Sequence, residues 1–360
     1  MIKEEPLISV VMAVYNGEKY LNSAIRSVIN QTFKNFEFII IDDCSNDKTY
    51  TIIKKFNDNR IIYKKNDINI GQTPSLNKGV ILSKGKYIAR IDADDLFIEN
   101  KLELQYNFLE NNPQFSGCGT QCKSIDENGK IYSNRLFPAN EKDLVFRSFF
   151  QSPINHVSVM IRKNDLIDVG IYNEKFPICA DFELWSRMII KGYRFVNLNE
   201  NLTMWRIVKN SLSFSNKSGQ AGKETSLIIQ KNLDKILKIN LSFNECRNIV
   251  MMLWPAERLS IHSLIESYLN LKNISKTFYN NKVPLNKKLF IDKILIKSLI
   301  KRFAFKLKNN EKYNIYKDFK KIILRFVLRP KLVFYYFTCF LIAVLFNQKL
   351  LNKIKLITSS

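Results

Sequence analysis

Three aspartates close the segment KYIARIDADDLF, with Asp92, Asp94 and Asp95 inside four consecutive positions at the end of an apolar, strand-like run. Carboxylates this close raise one another's pKa and destabilise a fold unless positive charge is set among them. Either the turn is solvated, or its hard oxygens hold a divalent cation such as Mg²⁺ or Mn²⁺. Asp42 and Asp43 end a second apolar run, FEFIIIDD, and a Tyr15-Asn16-Gly17 turn ends a third.

Acids scattered over the chain act together only if the fold brings them to one rim. LISVVMAVY (7–15) and FEFIIIDDCS (36–45) are β-branched runs without alternation, the pattern of strands buried on both faces. RIIYKKN and KYIARIDADD read as two further strands. Leu21, Ala24, Ile25, Val28 and Ile29 follow the first run at helical spacing, NDKTYTIIKKFN reads as a second helix capped by Asn46 or Asp47, and GQTPSLNKGVILSKG as a third. Strand alternating with helix four times specifies a parallel, doubly wound α/β sheet. Such sheets bind ligands beyond the carboxyl ends of their strands, where the strand order reverses. Polar residues at three strand ends on that rim favour a metal and an anionic ligand over solvated turns.

Composition adds limits. The 360 residues include 46% hydrophobic side chains, enough for about two domains. The net charge of +23 is uneven: residues 1–216 hold 28 basic and 25 acidic groups, and 217–360 hold 28 and 8. The anionic partner implied by that excess therefore belongs to the C-terminal part. The six cysteines lack zinc-site spacing and read as free thiols of a reducing compartment. The first residues, MIKEEPLISVVMAVYN, do not have the pattern of a secretory signal.

The ordered set ISVVMAVYNGEKYLNSAIRSVINQTFKNFEFIIIDDCSNDKT, NIGQTPSLNKG and YIARIDADD resembles family 2 glycosyltransferases of the GT-A fold, over about residues 6–215. The resemblance implies a Rossmann-like, mostly parallel sheet flanked by helices. Residues 1–105 would bind a nucleotide-sugar, most simply a UDP-sugar, and 106–215 the acceptor. Asp43 matches the acceptor of a pyrimidine N–H, and Val14 and Tyr15 the segment packing on the base. Asn69, Gly71 and Asn77 match a loop and helix lining the donor site. Asp92 and Asp94 match the DxD pair, which would hold Mn²⁺ or Mg²⁺ against the diphosphate. Placed in a strand, the two would share one face and Asp95 would point away.

CADFELWSRM resembles the acidic helix start that supplies the base of an inverting transfer, so Asp181 is the expected base, although Ala180 stands where the family often has Glu. Glu183 is the rival; both cannot face one site from the same helix. Leu184, Trp185 and Met188 read as core anchors behind them. His156 is read as a structural hydrogen bonder. Arg206, in TMWRIVKNSLS, is expected to pair with the diphosphate or with a surface acid. No QxxRW-type signature of processive synthases is found, which favours transfer of one sugar.

Residues 216–328 form a basic, α-helical region in this reading. LNKKLFIDKILIKSLIKRFAFKLK (285–308) sets lysines on one face of an amphipathic helix. The run LVFYYFTCFLIAVLF (332–346) is shorter than the roughly 20 residues a perpendicular span needs. It is read as an in-plane anchor within a tail, 329–360, on an anionic membrane, with a short span or a core helix as alternatives. Its aromatics do not interleave with the lysines, so no nucleic acid is expected. The expected setting is the cytoplasmic face of the inner membrane, with a lipid-linked or oligosaccharide acceptor of surface polysaccharide. A nucleotidyltransferase would want a phosphate loop that VYNGEKYL lacks, and an inactive scaffold would not need the intact acids.

Overall fold

The computed structural model describes residues 5–208, 219–253, 259–284, 286–288, 291, 294 and 298. The chain has two compact units, Met1–Asn216 and Lys217–Ser360.

In the first unit the expected alternation forms. β1 (Ile8–Val14), β2 (Phe36–Asp42), β3 (Ile61–Lys65) and β4 (Tyr87–Arg90) are parallel, in the order β3-β2-β1-β4. Between them run α1 (Leu21–Ile29), α2 (Thr49–Lys54) and α3 (Gln72–Leu82). β1 is buried along its whole length and divides its residues by parity. Val10, Met12 and Val14 enter a core with Leu21, Ile25 and Val28 of α1, while Val11 and Ala13 enter another with Leu76 and Val80 of α3. Gly79 lets α3 approach the sheet, because a Cβ there would lie 2.4 Å from Val11 Cγ1.

Past β4 the sheet becomes mixed. β5 (Leu96–Phe97), β6 (Gly117–Ile125), β7 (Ile131–Arg135), β8 (Met160–Arg162) and β9 (Phe195–Arg206) complete nine strands. β8 is antiparallel to β4 and β6, β9 is parallel to β6, β5 is antiparallel to β9, and β7 makes a hairpin with β6. α4 (Lys101–Asn111), α5 (Glu141–Ser148), α6 (Lys163–Asp168) and α7 (Ala180–Ile190) join the segments. Leu184, Trp185 and Met188 of α7 are fully buried, as their spacing predicts. The donor and acceptor halves drawn at residue 105 thus share one sheet.

In the second unit, α9 (Phe243–Leu253) packs against both α8 (Gln220–Asn232) and α10 (Ile261–Phe278), burying Ile229, Ile249, Val250 and Tyr268. Of the predicted helix at 285–308 only isolated positions are described, and the run at 332–346 lies outside the described residues. Among the described residues, no helix is long and apolar enough to cross a membrane. The five described cysteines are free.

Candidate active site

The strand order reverses at β1, whose neighbours are β2 and β4. Beyond their carboxyl ends lie the Tyr15 turn, Asp43 and the Asp92–Asp95 turn, the position where such sheets bind ligands.

β4 ends at Arg90, so the aspartates are not on a strand. The strand-parity expectation for them is corrected here: Asp95 N–H donates to Asp92 O at 3.3 Å, closing a turn. The turn brings carboxylate oxygens of Asp92, Asp94 and Asp95 within 4.8 Å of one another, so Asp95 converges with the pair instead of pointing away. Arg90, 2% exposed, grips both oxygens of Asp92 from beneath, and Gln72 Nε2 donates to Asp92 Oδ1 at 2.9 Å. Burial, and then the Asp92 charge, raise the Asp94 carboxyl to about 6. Asp95 is raised well above the carboxylate range, chiefly by burial and then by Asp94. Its Oδ2 is buried without a hydrogen-bond partner. Hard oxygens, an orphaned buried oxygen and like charges pressing on one another fit a divalent cation.

Asp43, 3% exposed, organises the neighbouring loop. Its Oδ1 accepts from Asn66 Nδ2 at 2.8 Å and Ile70 N–H at 2.9 Å, and its Oδ2 from Gly71 N–H at 2.8 Å. A carboxylate has about four acceptor sites, so one remains on Asp43. Gly71 has φ +96°, a conformation that strains any residue with a Cβ, and it starts α3. Asp43 N–H donates to Val14 O at 2.8 Å, which sets Tyr15, 53% exposed, beside it. Asn69 is exposed on the same loop. Asn77 is placed differently: its amide holds Tyr172 O and N–H and Glu174 Oε1 at 3.0–3.1 Å, away from any open surface.

Asp181 sits in the first turn of α7, where its Oδ2 accepts from Ser152 Oγ at 3.1 Å. Burial raises its carboxyl, against the Phe182 N–H, the Ser152 hydroxyl and the Arg90 charge, which favour the ionised form. Glu183 is 5% exposed and paired with Arg187 at 2.8 Å; Arg187 also binds the Val169 and Ile171 carbonyls. Only Asp181 of this pair is therefore free of a cation. His156 Nε2 bonds the Tyr172 hydroxyl at 2.9 Å, and burial, then Arg90, hold it far below the usual histidine range, so the ring is neutral.

Arg206, 6% exposed, directs its Nε and Nη1 at backbone carbonyls. Its Nε donates to Asp94 O at 2.8 Å, its Nη1 to Asp126 O at 3.0 Å, and its backbone N–H to Asp95 Oδ1 at 2.8 Å. It also covers the Tyr20 ring at 4.4 Å, so it clamps the acidic turn. Sequence reasoning passed over Arg90, Gln72, Asn66 and Ser152. Arg90 had a signal, two positions before Asp92 in the same apolar run; Ser152, on a loop 29 residues from its partner, had none. A separate groove of about 730 Å³ runs along β5, lined by Arg26, Phe97, Asn100 and Met204 among others, and none of the predicted site residues lines it.

The profile of Glycosyl transferase family 2 matches residues 9–170. An uncharacterised glycosyltransferase of Methanocaldococcus jannaschii is 39% identical over 209 residues, 57% of this chain and 72% of the relative. The UDP-Glc:alpha-D-GlcNAc-diphosphoundecaprenol beta-1,3-glucosyltransferase WfaP of Escherichia coli is 32% identical over 243 residues, 65% and 87% of the two chains. Among solved structures, S. aureus TarS 1–349 with UDP-GlcNAc matches with a TM-score of 0.56 at 16% identity, over 88% of this chain and 91% of that one. The mannosyltransferase PcManGT of Pyrobaculum calidifontis, with GDP-Man and Mn2+, matches at TM-score 0.51 and 13% identity, over 83% and 87%. At these identities the structures share the fold.

Proposed function

Because the chain belongs to glycosyltransferase family 2, we propose that it transfers one sugar, with inversion, from a nucleotide-sugar to a lipid-linked or glycan acceptor of surface polysaccharide. The observation that carries this reading is the convergence of Asp92, Asp94 and Asp95, together with a buried carboxylate, Asp181, that has no ion-pair partner among the described residues. Both groups feel the buried Arg90 charge.

In the transfer, Tyr15 and the remaining acceptor site of Asp43 take the base, which suits uracil or thymine and favours a UDP-sugar. Asp94, with Asp92 and Asp95, would hold Mn²⁺ or Mg²⁺, which when bound would offset the charge of a departing diphosphate. Arg90 aims Asp92 by holding both its oxygens, and Arg206 fixes the backbone of the turn. Asp181 removes the acceptor hydroxyl proton as oxygen bonds to the anomeric carbon and the bond to the nucleoside diphosphate breaks. WfaP, by its name, uses a diphosphoundecaprenol-linked acceptor, and an acceptor of that class is proposed here.

A thermal-shift screen of UDP-, dTDP- and GDP-sugars with Mn²⁺ tests the donor. Stabilisation by a UDP-sugar and release of UDP on adding acceptor are expected; stabilisation by none of the three overturns the reading. The basic C-terminal region would hold the enzyme at the cytoplasmic face of the cell membrane. Deleting residues 329–360 should then move the protein to the soluble fraction, and a truncated protein still on membranes refutes that part.

A further inference from the structure

Two arginines lack a carboxylate partner among the described residues, and one of them, Arg147, is a single residue removed from Asp181. Arg147, half-buried in α5, donates from Nε to Ser152 O at 3.1 Å and from Nη1 to Leu136 O at 3.2 Å, and covers the Phe137 ring at 4.7 Å. Ser152 is the residue whose hydroxyl holds the base. Arg135, in β7, lies over the Trp205 ring at 4.3 Å. Among the described residues neither arginine forms an ion pair, and the Arg135 guanidinium donates no hydrogen bond.

Arg147 bonds the carbonyl of Leu136, the residue after Arg135, so both cations are tied to one strap. Burial, and then the Arg135 charge, bring Arg147 down to about 10. Gln121 prevents them from parting: it donates to Phe137 O at 3.1 Å and accepts the Phe137 N–H at 2.7 Å, which pins the strap that follows Arg135. A guanidinium has five N–H donors, so Arg135 retains all of them and Arg147 retains three. Stacking on an aromatic face fixes the plane of each fork without using those donors. Forks held in this way suit a phosphate, which two guanidinium groups can bind in bidentate fashion.

We propose that Arg135 and Arg147 bind the phosphate or diphosphate of the acceptor, next to the base that activates its sugar hydroxyl. The proposal rests on the glycosyltransferase reading above and deepens it. In an acceptor whose sugar is joined to a lipid through a diphosphate, one sugar ring separates the attacked hydroxyl from the phosphates. On the protein, one residue, Ser152, separates Asp181 from Arg147. The Asp92–Asp95 turn is then left to the donor diphosphate, and each substrate has its own charge match.

The test is calorimetric titration of inorganic pyrophosphate and of geranyl diphosphate into the full chain in EDTA. Both should bind wild type, more weakly at high salt. Arg135→Gln should lose at least about tenfold in affinity for each, while Asp94→Asn should bind as wild type does. Arg135 is the informative position because only a ring contact depends on it, whereas Arg147 also supports two carbonyls. The nucleoside diphosphate that stabilises wild type with Mn²⁺ should bind Arg135→Gln unchanged. Equal pyrophosphate affinity in wild type and Arg135→Gln overturns the proposal. So does a matching fall in nucleoside diphosphate affinity, which would assign the pair to the donor. Donor hydrolysis with Mn²⁺ is read separately, so failure of the glycosyltransferase reading is distinguishable from failure of this one.

Discussion

The Ser152 hydroxyl stands 3.1 Å from Asp181 Oδ2 and 2.9 Å from the Ile154 carbonyl, so its single proton is shared between the carboxylate and the backbone. Burial raises the Asp181 carboxyl, and this bond opposes the rise by favouring the ionised form. A base must be ionised to work, so activity should fall with acid as pH passes down through the raised Asp181 value. Ser152→Ala should move that acidic limb of kcat to higher pH and leave the plateau rate largely intact. A pH–rate profile of the two proteins checks it; coincident limbs would show that Asp181 is not the titrating base.

Asp181→Asn and Glu183→Gln should fail in different ways. The first should keep donor and metal affinity but lose transfer by about 10²–10⁴, the range for a well-placed base. The second removes one member of a buried pair and strands the Arg187 charge. Broken buried pairs of this kind cost about 3–5 kcal/mol, so the loss should be in Tm more than in turnover per folded molecule. An active Asp181→Asn beside a folded but dead Glu183→Gln would reverse the assignment.

Asp94→Asn should have opposite effects on stability and activity. Without metal, it relieves repulsion within the acidic turn, where Asp94 is already raised to about 6, so Tm at neutral pH should hold or rise. With Mn²⁺, the wild type should gain stability and the variant much less, and transfer should collapse. Thermal shift with and without Mn²⁺, alongside a turnover assay, reads both effects. Wild-type transfer persisting in excess EDTA would refute the metal role.

Lys101 carries a prediction about the fold alone. It is fully buried, with Nζ donating to Gln105 Oε1 at 2.7 Å and lying 4.0 Å from the Phe97 ring centre. Burial lowers it to about 7. The unfolded chain therefore holds this proton more tightly than the folded one. Stability should rise with pH from about 7 to the ordinary lysine range near 10.4, and the cost is complete below 7. Relative to wild type, the Tm of Lys101→Met should improve as pH falls from about 10 to 7 and then level off. A difference independent of pH would mean that Lys101 stays charged in the fold.

The sheet was legible because β1 and β2 are mostly apolar runs rich in Val and Ile, the pattern of a strand covered on both faces. The acidic rim followed from where those runs stop. The sequence was misleading at Asp92–Asp95, where alternation was extended past Arg90 although the apolar run had ended and a turn had begun. Arg206 and Asn77 were assigned to ligands by motif, yet their partners are backbone groups and a side chain of distant segments, which no local pattern encodes. Helical spacing alone left Asp181 and Glu183 open, and the Arg187 pairing of Glu183 is what favours Asp181. The convergence of Arg135 and Arg147 depends on the hairpin of β6 and β7 and on Gln121, so their numbering carries no hint of it.

Asn77 fastens α3 to the 172–174 segment, on the far side of residue 105, through three hydrogen bonds. Its amide both donates to and accepts from the Tyr172 backbone, and the Tyr172 hydroxyl in turn meets His156. This latch bears on recombination between relatives. A crossover at residue 105 would join an Asn77 from one parent to a Tyr172–Glu174 loop from another. A hybrid made there should fold well only if both parents share this backbone-reading amide. The two segments should therefore be inherited as a linked set, and a graft of one should carry residues 71–79 together with 172–174.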